Sequence, residues 1–429
     1  MGQPIDEKGL AWNTIFTVRM TMDTISCCRV CQNPRLHNFF HLGDHPLANS
    51  LLSNPNDPEQ KYPLSLSWCQ DCSLVQLNET VDPKVLFSQY VWVTGTSQGA
   101  REYAEVFCKE LLERIELSAG DFVLEIASND GTFLKPFRAR GITVVGIDPA
   151  ENIIKTANED GIPTEPVFWG VESAHVLRKK YGRPRVIFAR NVLPHVANTQ
   201  DFVRAIADTV VEDGLVAIEV HYARTIQKEL HYDSIYHEHL CYFTVESLER
   251  LLREAGLYVF DVNESPLNGG SIVVYASRTP KQTSPRLDGS RANERECKIN
   301  SLEKWQEFSR AATRHASEFR ALLSRVGGNH VVGWGATARS STLLNYCGIT
   351  QETIAEVADM NPLKQGLFTA GTGIPIRAPG VVFQTKPDLV VLLAWNFTDE
   401  IRESLQTDFS YSGAVITPLP GAPTLHPSS

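Results

Sequence analysis

Three absences narrow the field before any motif is read. The chain has no excess of positive charge: 40 Lys and Arg stand against 50 Asp and Glu in 429 residues, a formal charge of -10. No stretch gathers enough basic residues to hold a polyanion, so nucleic acid is excluded as an expected partner. Long apolar runs are also missing. The longest, Leu389 to Trp395, falls far short of the roughly 20 residues a membrane-crossing helix needs, so no membrane partner is expected. Finally, residues 1–25 lack a basic start followed by an apolar segment. With Pro4, Asp6, Glu7 and Lys8 they read as a frayed polar tail, and the expected location is the cytoplasm. Internal repeats and low-complexity tracts are absent as well.

Cysteine is present, but in an odd number, nine, which argues against a disulfide framework. Five of the nine fall within the first 72 positions, and four of these form two CxxC pairs, Cys28-Arg-Val-Cys31 and Cys69-Gln-Asp-Cys72. Two intervening residues let both thiolates of a knuckle turn onto one cation, and two knuckles complete the tetrahedral S4 shell that zinc takes. The 37 residues between the pairs exceed the roughly 15 to 20 of the simplest zinc ribbons. A closed S4 shell has no open position for substrate, so the expected Zn2+ is structural. Cys27 stands outside this set.

The pattern changes along the chain. Residues 26–88, rich in turn formers such as Asn33-Pro34 and Gly43-Asp44, form the expected zinc-binding domain, whose thin core a metal supplements. After a helical pattern from Arg101 to Ile115, strands alternate with helices: Phe122–Ile126, a helix over Phe133–Arg140, Ile142–Ile147, Val186–Ala189 and Leu215–Val220. Alternation of this kind predicts a doubly wound α/β domain, residues 89–280, with a parallel sheet. The hydrophilic stretch Pro280–Asn300 reads as a linker leading into a helix at Leu302–Leu323, together residues 281–326. A second α/β unit, Rossmann-like, spans 327–420, with strands at Val331 and at Asp388–Ala394, and 421–429 reads as a tail.

Each α/β unit offers one nucleotide site. In the first, the leading strand ends Glu125-Ile-Ala-Ser-Asn-Asp-Gly131 and the second ends at Asp148, about twenty residues on, the spacing of S-adenosylmethionine-binding folds. Ser128, Asn129 and Gly131 can reach backbone angles closed to bulkier residues, Asp148 can accept from ribose hydroxyls, and Glu125 points into the same crevice. Pro149 beside Asp148 and Asn191 at the tip of a later strand are counted with them, and because the turn lacks the glycine-rich form usual in such folds, a plain strand-to-helix turn that holds an Asp is the other reading. In the second unit, Gly333-Trp-Gly335-Ala-Thr-Ala338 is a GxGxxA turn with Asp359 ending a later strand; a nicotinamide cofactor is one reading, and a turn that packs a helix on its sheet or faces a substrate phosphate is the other.

The densest polar group is Asp233-Ser-Ile-Tyr-His-Glu-His239. Within four positions, Tyr236 to His239, it offers a phenol, two imidazoles and a carboxylate, equipment for moving a proton at neutral pH. His195, after the strand at 186–189, projects from the carboxyl edge where ligands of such folds bind. Zinc ligation by His237 and His239 is the metal alternative, and satisfied surface histidines are the structural one.

Together these blocks resemble the three-domain sugar C-methyltransferases, which add a branching methyl to 4-keto deoxysugar nucleotides. The resemblance covers nearly everything after Ser26. It adds Leu42-Gly-Asp-His-Pro-Leu-Ala-Asn-Ser50, Asn191-Val-Leu-Pro-His195, Gly269-Gly-Ser271 and Asn345-Tyr-Cys-Gly348 to Asp359-Met-Asn-Pro-Leu-Lys-Gln-Gly366. It implies S-adenosylmethionine in the middle domain, a substrate-facing third domain without a redox cofactor, a small-molecule substrate, and His239 as base with Glu238, Tyr236, His195 and Tyr90 as companions. C-methylation beside a ketone needs a base and donors for the enolate oxygen, and here Glu238 is expected to orient an imidazole and His195 or Tyr236 to donate. The chain departs from the family at Asn268, where many relatives have His before Gly-Gly-Ser, so a non-sugar carbon acid is the alternative acceptor. The residues by themselves also leave open a NAD-linked enzyme and a non-catalytic zinc module.

Overall fold

The computed structural model describes residues 22–87, 93–326, 328 and 330–428. The first sheet is antiparallel, built from β1 (Leu36–His45), β2 (Tyr62–Cys69) and β3 (Val75–Leu77). Its fourth strand is a two-residue segment from far down the chain, Cys241–Tyr242, paired with Gln76 and Val75. The cysteine-bearing segment and the histidine-rich segment are therefore joined by one hydrogen-bonded ladder. Met22–Thr24, expected within a frayed tail, instead pairs with Glu79–Val81.

The central sheet has seven strands: β4 (Phe122–Ile126), β5 (Thr143–Ile147), β6 (Thr164–Glu165), β7 (Val186–Arg190), β8 (Leu215–His221), β9 (Tyr258–Ser265) and β10 (Ser271–Ser277). The spatial order is β9-β10-β8-β7-β4-β5-β6. Every residue of β4 and β8 is buried, as near-continuous apolar strands covered by helices on both faces should be. The sheet is not wholly parallel, because β10 runs antiparallel between β8 and β9. The connection from β9 to β10 is too short for a crossover helix, so it must return as a hairpin.

The stretch expected as a linker contains a helix, Pro285–Cys297. Ser284 caps it by accepting from the amide of Leu287, and Pro285 fits the first turn, where no amide donor is needed. Only Leu287 and Glu294 are buried on it, so its polar composition hides a helix that uses one thin contact line. A 25-residue helix, Leu302–Val326, follows and ties the outer domains together. Its Phe308 meets Phe40 of β1 edge-on at 6.0 Å, and Trp305 packs on Phe39.

The last sheet has six strands: β11 (Val331–Trp334), β12 (Glu356–Ala358), β13 (Ile376–Arg377), β14 (Leu389–Leu392), β15 (Ala414–Thr417) and β16 (Thr424–His426). Their order is β13-β12-β11-β14-β15-β16, parallel except for β16. That edge strand occupies part of the expected C-terminal tail. Among the described residues no helix is long and apolar enough to cross a membrane.

Candidate functional site

The four cysteines of the two CxxC pairs converge, with all four sulfurs within 4.8 Å of one another. Cys28 and Cys72 lie 3.4 Å apart, and Cys31 and Cys69 3.5 Å. A zinc–sulfur bond of about 2.3 Å gives a tetrahedron with edges of about 3.8 Å, so a small outward relaxation seats the ion. Each knuckle closes the same way. The residue after the second cysteine, Gln32 or Ser73, takes a positive φ, and its amide bonds back to the carbonyl of Cys28 or Cys69. Cys27 turns away to Gln32. Among the described residues this is the one cluster of three or more metal-binding side chains, and His237 and His239 do not form another.

The cofactor crevice lies at the carboxyl end of β4 and β5. Asp148 is held rigidly, one oxygen accepting from the amide of Asn129 and the other from that of Ala150, each at 2.9 Å. Burial raises its pKa, and the two amides oppose that rise. Pro149 lies between Asp148 and the buried Ala150. Among the described residues, Glu125 Oε2 and Ser128 Oγ are buried without a hydrogen-bond partner. Two such orphans at the strand tips fit a ligand carrying its own donors, as the amino acid end of S-adenosylmethionine does. Asn129 and Ala127 both adopt positive φ, which folds the turn tightly over this point. Gly131 also has a positive φ, but a Cβ there would strike Ile162, so its smallness makes room for the core and not for a ligand.

Sequence reasoning missed two features here. The amides of Thr94 and Gly95 bind the side chains of Asn129 and Asp130, laying a loop over the cofactor turn. Nothing in that loop's composition signals it. Below the crevice, the fully buried Glu219 takes Arg190 at 2.8 Å, the side chain of Asn191 at 3.0 Å and Ser265 at 2.9 Å, which fixes Asn191 at the tip of β7.

The histidine-rich segment reaches the same edge of the sheet. His239 Nδ1 lies 2.7 Å from the carbonyl of Ser234, and His195 Nδ1 lies 2.7 Å from that of Glu238. A carbonyl can only accept, so both rings carry their proton on Nδ1. Their surroundings remove water and hold both rings neutral: His195 is pushed down to about 4, and His239 is well below its ordinary value. Each Nε2 then presents a lone pair. Tyr236 donates its hydroxyl to Nε2 of His239 at 2.7 Å, and the two imidazoles stand 4.9 Å apart. His237 points elsewhere, with Nε2 3.0 Å from the carbonyl of Pro63.

Two expected roles change. The Glu238 side chain does not orient an imidazole: its backbone carbonyl does, while its carboxylate accepts from Asn49 of the zinc-binding domain at 2.6 Å. Burial pushes that carboxyl up to about 7. A neutral His195 whose Nδ1 proton is held by the Glu238 carbonyl has no second proton to donate, which departs from the donor role expected of it, whereas the Tyr236 hydroxyl does carry one. Tyr90 lies outside the described residues.

The GxGxxA turn is occupied by the chain itself. The amide of Ala336 is bound by Asp359 at 2.8 Å, and Thr337 and Ser340 cap each other. A Cβ at Gly333 would strike Leu393 and one at Gly335 would strike Ala394. These glycines bring strand and helix close, and the turn's amides are spent internally.

Known families match the chain along most of its length. Residues 28–87 match a family model described as a zinc binding domain, residues 100–262 a methyltransferase domain, and residues 266–420 a C-methyltransferase C-terminal domain. C-methyltransferase NovU of Streptomyces niveus is 33% identical over 399 residues, covering 92% of this chain and 95% of its own. Among solved structures, the CcbJ methyltransferase of Streptomyces caelestis is 15% identical, with 46% of this chain and 100% of that one covered at a TM-score of 0.34. Magnesium protoporphyrin IX methyltransferase of Synechocystis PCC 6803, solved with SAM, is 13% identical, with 42% and 80% covered at a TM-score of 0.32.

Proposed function

The chain belongs to the three-domain, zinc-containing sugar C-methyltransferases, S-adenosylmethionine-dependent enzymes, and from that premise we propose that it deprotonates carbon beside the ketone of a nucleotide-linked deoxysugar and methylates the resulting enolate. S-adenosylmethionine, when bound, supplies the electrophilic methyl group. Glu125, Ser128, Asn129, Asp148, Pro149 and Asn191 are the residues expected to hold it, with Gly131 packing the turn behind them against Ile162. The cytoplasm, where thiolates stay reduced, is the compartment that suits an S4 zinc site.

The observation that carries the reading is the Tyr236–His239 pair. A ketone oxygen and the adjacent carbon are about 2.4 Å apart, set by bond lengths of about 1.23 and 1.52 Å. The hydroxyl oxygen and Nε2 are 2.7 Å apart, a comparable spacing. Rotation of the Tyr236 hydroxyl from Nε2 toward an incoming carbonyl oxygen would free the lone pair of His239 to take the α-proton. One pair thus supplies both the base and the enolate donor. Ser234 accepts from Nδ1 of the imidazolium that forms, and His195 packs beside it.

The test is solvent exchange without methyl donor. A panel of nucleoside-diphosphate 4-keto-deoxyhexoses is incubated in deuterium oxide and read by mass spectrometry, then supplied with S-adenosylmethionine. The proposal expects α-deuteration, then a single added methyl on the same carbon. A panel that neither exchanges nor gains methyl overturns the sugar reading, and methylation of a non-sugar ketone in its place would establish the alternative acceptor.

A further inference from the structure

We propose that Asn49, carried by the zinc-binding domain, is a positioning residue for Glu238: its side-chain amide holds one carboxylate oxygen and thereby sets the orientation and charge state of that group. The assignment rests on the proposed function, in which the base is His239, the residue next to Glu238, and the carbonyl of Glu238 holds Nδ1 of His195 beside that base.

The two residues are far apart in sequence yet lie 2.6 Å apart, and among the described residues Asn49 is the one hydrogen-bond partner of the Glu238 carboxylate. Asn49 is itself firmly placed. The preceding residues His45, Pro46, Leu47 and Ala48 are buried, and Leu47 packs with Tyr62 and Val81. Beyond it, Leu52 bonds in both directions with Phe368, and Glu59 takes the amide of Gly371, both in the C-terminal domain. Asn49 therefore stands on a strap pinned at both ends to other parts of the molecule. A half-buried amide on such a strap, aimed at an otherwise unpartnered carboxylate, has no packing role that an apolar residue would not fill better.

The titratable groups nearest that carboxylate in the fold are Tyr236, His237 and His239 on its own segment and His195, whose Nδ1 meets the Glu238 carbonyl; His45, at the base of the strap, acts on His237. The four imidazoles are all held toward the neutral form. Burial favours the protonated carboxyl and the Asn49 amide favours the carboxylate, so removing the amide must move ionisation upward.

Two variants test this on the full zinc-loaded chain. Asn49→Ala removes the donor, and Asn49→Asp keeps the shape but puts a second carboxyl within hydrogen-bond distance, where both cannot ionise together. The readout is the infrared carboxyl band that Glu238→Gln abolishes, titrated from pH 5 to 10 without substrate, beside the pH profile of methyl transfer. In Asn49→Ala the band should titrate about one to two pH units higher, in Asn49→Asp at least as far, with turnover at pH 7 down about 10- to 100-fold and partly restored by pH 9. A band that titrates as in the parent in both variants overturns the assignment. Should Glu238→Gln lose methyl transfer while both Asn49 variants keep the parental pH profile, the positioning role alone falls. Full activity in His239→Gln would instead overturn the reading beneath it.

Discussion

Stripping zinc should disable the chemistry while sparing the cofactor site, although the metal is placed where no substrate can reach it. The segment proposed to carry the base leans on the zinc-binding domain through three direct links: the amide of Leu77 to the carbonyl of Leu240 at 3.0 Å, His237 to the carbonyl of Pro63 at 3.0 Å, and Asn49 to Glu238 at 2.6 Å. The pairing of Cys241 and Tyr242 with Gln76 and Val75 continues this support. An S4 zinc site supplies on the order of 10 to 16 kcal/mol to a small fold, so its loss releases the first sheet. At about 1 kcal/mol net per hydrogen bond, the segment then loses about 3 kcal/mol of restraint. A displacement of the base by about 1 Å costs on the order of 10²-fold in rate. The cofactor turn, by contrast, rests on β4, β5 and the loop at Thr94–Gly95. Chelated or Cys72→Ser protein should therefore lose methyl transfer by about 10² while S-adenosylhomocysteine affinity, measured by calorimetry, changes less than about threefold. Amide exchange should quicken over residues 236–242. Metal-free protein turning over at the native rate, or losing product affinity in step with turnover, would refute the argument.

Two further results are expected. Tyr236→Phe and His239→Gln should each lower methyl transfer by about 10² to 10⁴ with product affinity retained, and neither should still exchange the α-hydrogen at the parental rate. Stability should depend on pH with two opposite signs. His195 falls from 6.5 to about 4 on folding, so the unfolded chain binds more protons in that window. Its contribution, on the order of 3 kcal/mol, is complete above pH 6.5 and is lost as pH falls toward 4. Glu238 rises from 4.5 to about 7, so its contribution is complete below 4.5 and is lost as pH climbs through 7. Urea midpoints of His195→Gln and Glu238→Gln should flatten the acid and the neutral limb respectively. Identical pH slopes in all three proteins would contradict both assignments.

What was legible in the sequence is what repeats locally. Near-continuous apolar runs placed β4 at Phe122–Ile126 and put β7 and β8 within a residue of their ends, because a strand buried on both faces leaves no choice of residue. Two CxxC pairs announced the metal because the chemistry demands four thiolates. The helix at Pro285–Cys297 escaped because burial of two side chains leaves no periodic signature. The pairing of Asn49 with Glu238 escaped for a different reason: no local rule relates residues whose meeting depends on how two domains pack. The histidine roles were only half legible. Residue type supplied the bases, but the tautomers depend on which carbonyls face Nδ1, and that is a property of the folded loop.

Why such chemistry should need three domains follows from how the segment is suspended. At its leading end, Asp233 takes both arms of Arg339 at 2.9 and 3.0 Å and the indole of Trp395 at 2.7 Å, and the carbonyl of Ile235 takes Thr342 at 2.9 Å. All three donors belong to the C-terminal domain. At its trailing end, Leu240 and Cys241 are held by the zinc-binding domain. The intervening residues, Tyr236 to His239, belong by sequence to the central domain, where His195 donates to the carbonyl of Glu238 and the carbonyl of Pro194 accepts from the amide of Leu240, but both of its neighbours also hold them in place. A buried Asp233 paired in this way is costly to break, because one partner removed leaves a charge without a mate. Closure of the outer domains on a substrate would therefore move both anchors of the base. Because Leu52 and Phe368 already bridge those domains, the anchors must move together, so the distance from base to cofactor is set by one joint displacement and not by two independent ones.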